Sequence, residues 1–178
     1  AEQSGETASL CVIDGTQGLC IDVIDSTHSM RFTVHKGETF PLNAGCIGKV
    51  MLAFQSEAFI EALIQKKALK RYTDNTITDS KALRNELARI NRQGFGFSDS
   101  EITPGSRSVG APVYSADGKV LASLVISTPA FRMPDSKVAL LVEQVVEQAA
   151  LLSRELGHAS APRPTAKPKS IKEKTHAL

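Results

Sequence analysis

Two hairpin patterns, one in each half of the chain, limit the possible folds more than any other feature. Over residues 8–24, apolar side chains alternate on both sides of a turn, which is typical of a β-hairpin with one buried face. A second hairpin is predicted over 107–114 and 120–127, because the turn between them contains Asp117-Gly118, a strong hairpin signal. A further short strand is predicted over residues 30–34.

Helical spacing replaces strand alternation between the two hairpins. Residues 45–54 carry apolar side chains at the period of a helix, and Ser56 and Thr78 stand where they can cap a second and a third helix. Pro134 opens a last, long helix that Gly157 ends. Strand pairs around a helical insert predict an α+β fold, in which helices pack on a curved, mostly antiparallel sheet.

The first hairpin also sets the position of two of the three cysteines. A turn centred between Gly15 and Thr16 places Cys11 opposite Cys20, off the predicted apolar face. A disulfide directly across two strands is strained, and residues 1–6 lack the basic and then apolar layout of a secretion signal. We therefore expect reduced thiols, including the third, Cys46.

Composition indicates an ordinary soluble domain. The chain has 178 residues, of which 42% are hydrophobic and 22% charged. It contains no run of about 18 apolar residues that could span a bilayer as a helix. We expect a cytoplasmic protein without membrane contact.

The net charge of +2 arises from the last segment of the chain. Residues 158–178 contain five basic residues and one acidic residue, and without them 16 basic and 18 acidic groups remain. A surface that binds duplex DNA is usually rich in clustered lysine and arginine. The folded part is therefore not expected to bind DNA itself, and the basic tail, 158–178, is predicted to be disordered.

Seven segments, in order and spread from about Ser4 to Leu156, resemble the effector-binding domain of IclR-family transcription regulators. The segments are residues 4–10 with Asp14-Gly15, 40–53, 71–78, 92–95, 99–107, 111–113 and 126–132. Each is weak alone, but their common order and spacing make the resemblance specific. Only the tail lies outside it.

The resemblance implies that residues 1–157 form an effector-binding domain related to GAF and PAS sensors. It also implies a winged helix-turn-helix domain before residue 1, through which alone the regulator would contact operator DNA. Members of the family are dimers or tetramers that bind small metabolites, often organic acids. They are not enzymes, and no cofactor or metal is expected.

The resemblance further implies where the effector binds. The residues that correspond to the family's site are Phe32, Phe40, Gly45, Cys46, Ile47, Gly48, Ser98, Asp99, Ser108, Val125 and Ser127. At Gly45–Gly48 the backbone N–H groups of a helix start would receive a carboxylate. The alternative is that Gly45 and Gly48 only allow close packing of the helix on the sheet.

Two departures from the family pattern bear on the ligand. Ser98 stands where an acidic residue is common, so that Asp99 would take over the polar contact, unless this is only a solvated loop. Val125 replaces a hydroxyl that members binding small hydrophilic acids often have, and it shares a strand face with Ser127. Ser108 is expected on the neighbouring strand.

Apolar side chains at these positions indicate the kind of effector. Phe32, Phe40, Ile47 and Val125 predict a pocket more apolar than one built for the smallest acids, although aromatic residues are also common in ordinary cores. Our hypothesis is an effector with a carboxylate and an apolar or aromatic body.

Parts of the sequence suggest three other functions. Cys46 at a helix start suggests a GAF-like thiol enzyme, but no histidine and acid can be assigned to it. His28 and His35 lack further ligands at metal-binding spacing. A dimerisation module without a ligand remains an alternative, and a sealed core near Gly45 and Ser127 would favour it.

Overall fold

The structure, a computed structural model, describes residues 1–65 and 69–159. Its elements follow one another along the chain as strands β1 (Thr7–Asp14), β2 (Gln17–Ile24) and β3 (Thr39–Pro41), helices α1 (Gly45–Leu52), α2 (Glu57–Gln65) and α3 (Ser80–Gln93), strands β4 (Gly96–Asp99), β5 (Ser106–Tyr114) and β6 (Val120–Pro129), a 3₁₀ turn (Ala130–Arg132) and helix α4 (Asp135–Glu155). Apart from its first two residues, the predicted tail lies outside the described residues.

All six strands form one curved sheet in the order β3-β2-β1-β6-β5-β4, and every neighbouring pair is antiparallel. This confirms the predicted α+β class. Both predicted hairpins are present, as β1–β2 and β5–β6. The first and last strands along the chain thus form the centre of the sheet, where β1 pairs with β6.

Helices cover both faces of the sheet, and each face has its own hydrophobic core. On one face α1 and α3 pack over a cluster that includes Cys11, Val50 and Leu83. On the other face α4 packs over a cluster that includes Val109 and Val142. The prediction of one buried face for the first hairpin was therefore wrong. Its thiol-bearing face is the more deeply buried one, because α1 lies on it.

Cys11 and Cys20 stand opposite each other in β1 and β2, as the turn position predicted. Both side chains are buried, and both are free thiols. Burial raises the pKa of the Cys11 thiol to about 12, because an apolar environment disfavours the thiolate. The two residues therefore act as small core side chains.

The predicted strand over residues 30–34 is wrong. This segment is irregular, and the sheet edge beside β2 is taken instead by β3, a strand that the pattern did not reveal. The carbonyl of Phe32 accepts a hydrogen bond from Thr7 Oγ1 at 2.9 Å, and that of Met30 accepts one from Arg132 at 2.8 Å. Side chains thus satisfy backbone groups that a strand would have paired.

Two smaller predictions also need correction. The third helix is capped by Asp79 rather than Thr78, since Asp79 Oδ1 accepts the N–H of Ala82 at 2.7 Å. Strand β4 was not predicted, because its four residues are too few to show an alternation. Its pairing with β5 builds one side of the site described below.

Close approach of α1 to β3 depends on Gly48. A Cβ at this position would lie 2.1 Å from the Pro41 carbonyl oxygen and 2.6 Å from the Leu42 Cα. Backbone atoms cannot move aside as a flexible side chain would. Gly48 therefore serves helix–sheet packing.

Substituting Gly48→Ala should lower the free energy of unfolding by about 2–3 kcal/mol, because the added methyl group overpacks a rigid backbone contact. Chemical denaturation of the purified domain measures this. The comparison is Gly15→Ala, whose added methyl group meets no atom within 4 Å. Only the strain of its left-handed backbone (φ +57°) lowers its stability, and we expect a smaller loss than for Gly48→Ala. Equal stability of the Gly48→Ala and wild-type proteins would contradict the packing role.

Candidate functional site

A cavity of about 150 Å³ lies between the start of α1, the sheet and the irregular segment before β3. Residues from four parts of the chain line it. They are Phe32, Thr33, Val34, Glu38, Phe40, Gly45, Cys46, Ile47, Ser98, Ile102, Thr103, Ser106, Arg107, Ser108 and Ser127. The core near Gly45 and Ser127 is thus not sealed, which favours ligand binding over a module that serves dimerisation alone.

The structure brings together eight of the eleven residues predicted for the site. Lining the cavity are Phe32, Phe40, Gly45, Cys46, Ile47, Ser98, Ser108 and Ser127. Gly48, Asp99 and Val125 are not among the lining residues. Val125 is fully buried in the core beneath α1, and Gly48 packs against the backbone of β3.

A row of hydroxyl groups crosses the sheet at the cavity. Ser98 in β4 is paired with Ser108 in β5, and Ser108 is paired with Ser127 in β6. The Oγ atoms of Ser98 and Ser108 are 2.8 Å apart, and either can be the donor. Because only one hydroxyl hydrogen is used in that bond, the other remains for a ligand.

The start of α1 lies very close to the loop after β4. Gly45 has a left-handed backbone (φ +71°), and a Cβ there would lie 2.6 Å from Ile102 Cδ1. Ala44, the residue before the helix, provides no side-chain cap. The N–H groups of the first turn therefore depend on partners outside the helix.

One of these N–H groups is taken by the protein itself. The Gly45 N–H donates to Glu101 Oε2 at 3.0 Å. Cys46 and Ile47, the next two residues of the helix, both line the cavity. The Gly45 N–H is therefore already bonded within the protein, and the prediction of an anion site over Gly45–Gly48 is reduced to the N–H groups that follow Gly45.

Glu101 is held by a buried charge network. Lys49, fully buried on α1, places Nζ 2.5 Å from Glu101 Oε1 and 3.0 Å from Glu86 Oε1, and it also donates to the Phe97 carbonyl. Arg89 pairs with Glu86 at 2.7 Å. Burial by itself would lower the pKa of Lys49, but the two carboxylates outweigh it and raise this pKa, so the ammonium stays charged.

Arg107 is a lining residue that the sequence analysis missed. Its guanidinium contacts Asp99 Oδ2 at 2.7 Å, Asp135 Oδ1 at 2.9 Å and the Met133 carbonyl at 2.9 Å. Burial would lower the pKa of Arg107, and its hydrogen bonds to the two aspartates raise it. Asp99 is therefore engaged with Arg107 beside the cavity, rather than lining it.

Six further lining residues were also missed: Thr33, Val34, Glu38, Ile102, Thr103 and Ser106. All lie in irregular segments or at a strand end, where no hydrophobic period indicates the direction of a side chain. For Ser106 and Arg107, the one feature of the sequence that indicates a place at the cavity is the run of polar residues at the start of β5.

Cys46 does not have the surroundings of a catalytic thiol. Its side chain is buried, and burial raises the pKa of the thiol above its ordinary value. The Cβ positions at Gly96 and Gly110 would be about 3 Å from its Sγ, so the sulfur lies against the sheet. Within residues 1–65 and 69–159 no histidine lines the cavity, and no group of three His, Cys, Asp or Glu side chains is arranged to hold a metal ion.

Comparisons with known proteins identify the family. Residues 1–154 match a family model described as the bacterial transcriptional regulator IclR C-terminal domain. The fold, the cavity and this match define the class, which is the C-terminal domain of a bacterial transcriptional regulator. The chain belongs to the IclR family, whose members are transcriptional regulators and not enzymes.

Individual relatives agree with this assignment. The HTH-type transcriptional regulator BhcR of Paracoccus denitrificans is 32% identical over 162 residues, which are 91% of this chain and 57% of that protein. The crystal structure of Thermotoga maritima IclR is 30% identical with a TM-score of 0.83, over 88% of this chain and 64% of that one. The C-terminal domain of Escherichia coli KdgR is 29% identical with a TM-score of 0.78, over 88% of this chain and 91% of that domain.

The chain spans between half and two thirds of the length of BhcR and of Thermotoga maritima IclR. It matches the isolated KdgR domain over nearly the whole of that domain. None of the helices in the described part of the chain is both long and apolar enough to cross a lipid bilayer.

Replacing Lys49 with methionine should lower the free energy of unfolding by about 3–5 kcal/mol, because it leaves the buried Glu101 carboxylate without its counter-charge. Chemical denaturation measures the loss. The double variant Lys49→Met/Glu101→Gln should recover part of it, since it also removes the stranded charge.

The matched control is Lys119→Met, which breaks the ion pair with Asp117 in an exposed turn and should change stability little. A Lys49→Met protein as stable as this control would show that the buried network does not hold the start of α1 in place.

Proposed function

We propose that this domain senses a small organic acid for a bacterial transcription regulator and changes the regulator's affinity for operator DNA. In this proposal the DNA is bound by a winged helix-turn-helix domain outside this chain, in the cytoplasm. Contacts between copies, in a homodimer or homotetramer, carry the signal. The observation that supports it is the open cavity at the start of α1.

The acid's carboxylate would bind at the helix start. The Cys46 and Ile47 amides belong to the first turn of α1, and the positive end of the helix dipole lies there. Ser108 and Ser127 offer hydroxyl donors from the sheet. Lys49 balances the charge of Glu101 nearby, so that this glutamate repels an incoming anion less than an unpaired carboxylate would.

The body of the effector would meet an apolar wall. Phe32, Val34, Phe40, Ile47 and Ile102 contribute apolar surface to the cavity. Cavities of about 150 Å³ elsewhere hold a molecule the size of benzene. An acid with a short aliphatic chain or one ring fits this volume. Val125 adds nothing to the wall directly, since it is not a lining residue.

Contacts between the cavity wall and β1 support the proposed coupling between effector binding and DNA binding. Thr7 Oγ1, in β1, donates to the carbonyl of the lining residue Phe32. Glu6, immediately before β1, forms a two-point ion pair with Arg132 at 2.7 and 2.8 Å. Arg132 also holds the Met30 carbonyl. A ligand that moves this wall therefore acts on residues next to the proposed DNA-binding domain.

Organic acids with an apolar chain or ring should raise the melting temperature of the domain, and Ser127→Leu should abolish this rise. The leucine fills the cavity without removing an interaction that holds the sheet together. A thermal-shift screen of aliphatic, aromatic and hydroxylated acids measures the response of both proteins.

Ser136→Leu, on the exposed first turn of α4, is the matched control and should respond as the wild type does. A response only to the smallest and most polar acids would contradict the apolar body. A Ser127→Leu protein that still responds fully would contradict this cavity as the binding site.

A further inference from the structure

Glu38 is a charged residue of the cavity wall to which neither the sequence nor the family comparison assigned a role. It closes the turn before β3. Its backbone N–H donates to the His35 carbonyl at 3.0 Å, and its Oε2 accepts the His35 N–H at 2.9 Å. The backbone of the same turn is fixed to Cys20 in β2, through the carbonyl of Glu38 and the N–H of Gly37. The side chain is thus held at the cavity by a hydrogen-bonded turn.

Within the part of the chain that the structure describes, no cationic side chain pairs with Glu38. Glu38 and Arg107 are the two charged lining residues, and Arg107 is already paired with Asp99 and Asp135. The neighbouring Lys36 pairs with Asp22 at 2.6 Å. In residues 1–65 and 69–159, no cationic side chain lies within ion-pair distance of Glu38, and its Oε1 accepts no hydrogen bond from the chain.

This arrangement restricts the effector that the cavity accepts. A plain acid with an apolar end would remove water from the half-buried Glu38 carboxylate and offer it no donor, which costs free energy. It would also add a second negative charge to the cavity. A ligand that carries a donor group as well as a carboxylate replaces the lost water and, if the donor is cationic, balances the charge.

We propose that the effector is a bifunctional acid whose second polar group, an ammonium or a hydroxyl, donates a hydrogen bond to Glu38. This inference rests on the function proposed above, in which the carboxylate binds at the start of α1. The apolar wall then contacts the carbon skeleton between the two ends. An ammonium group should raise the affinity more than a hydroxyl group does, because hydrogen bonds between two charged groups are stronger.

Matched linear acids of three to six carbons test this, each with a methyl, hydroxymethyl or aminomethyl end. At five carbons the probes are pentanoate, 5-hydroxypentanoate and 5-aminopentanoate. Isothermal titration calorimetry measures their affinities for the wild-type domain and for Glu38→Gln. Glutamine keeps an acceptor for the His35 N–H but removes the charge. Glu147→Gln, on the exposed side of α4, removes an equal charge far from the cavity and is the control.

At the chain length that fits best, we expect the hydroxy or amino acid to bind wild type about tenfold more tightly than the plain acid. Glu38→Gln should lose that preference and bind the plain acid at least as well as wild type does. Glu147→Gln should behave as wild type. Melting curves without ligand check that Glu38→Gln remains folded.

Two different failures are distinguishable. If the plain acids bind as tightly as their substituted partners, or if the preference survives in Glu38→Gln, the role of Glu38 is wrong while acid sensing stands. If no acid of this series binds wild type and no acid of the thermal-shift screen raises its melting temperature, the proposed acid-sensing function fails, and this inference fails with it.

Discussion

The Lys49 ammonium is buried beneath α1, where it forms ion pairs with Glu86 and Glu101. Isolated, any of these groups would be costly to bury. Together they connect α1, α3 and the loop after β4, and Glu101 extends the network to the Gly45 N–H. The position of the helix start relative to the sheet, and hence the width of the cavity, depends on this set of charges.

The cavity lies where α1, which packs closely on the sheet near Gly48, meets a part of the chain that does not pack against it as closely. Gly48 brings α1 close to β3, whereas Gly45 turns the chain away beside Ile102. Another wall of the cavity is the irregular segment around Phe32. Hydrogen bonds from side chains hold this segment, instead of the backbone hydrogen bonds of a strand. The space left between this close-packed helix and the irregular segment is the cavity.

Sequence patterns predicted the parts of the fold that follow a period. The two hairpins, the start of α1 at Gly45 and the long last helix were all visible as alternation, helical spacing or turn residues. The short strands β3 and β4 were not, because three or four residues define no period. Among the residues that line the cavity, the resemblance indicated Ser108 on a strand and Phe32 in an irregular segment. It missed Glu38, whose place at the cavity depends on a turn fixed by tertiary contacts with β2.

The row of hydroxyl groups formed by Ser98, Ser108 and Ser127 has a consequence for the polarity of the cavity floor. Hydroxyl hydrogens rotate without any movement of heavy atoms, so the bond between Ser98 and Ser108 can run in either direction. Reversing it exchanges the group that offers a proton to the cavity for one that offers a lone pair. The floor of the cavity can therefore present either a donor or an acceptor at the same place, whereas the charged and apolar side chains around it keep one character.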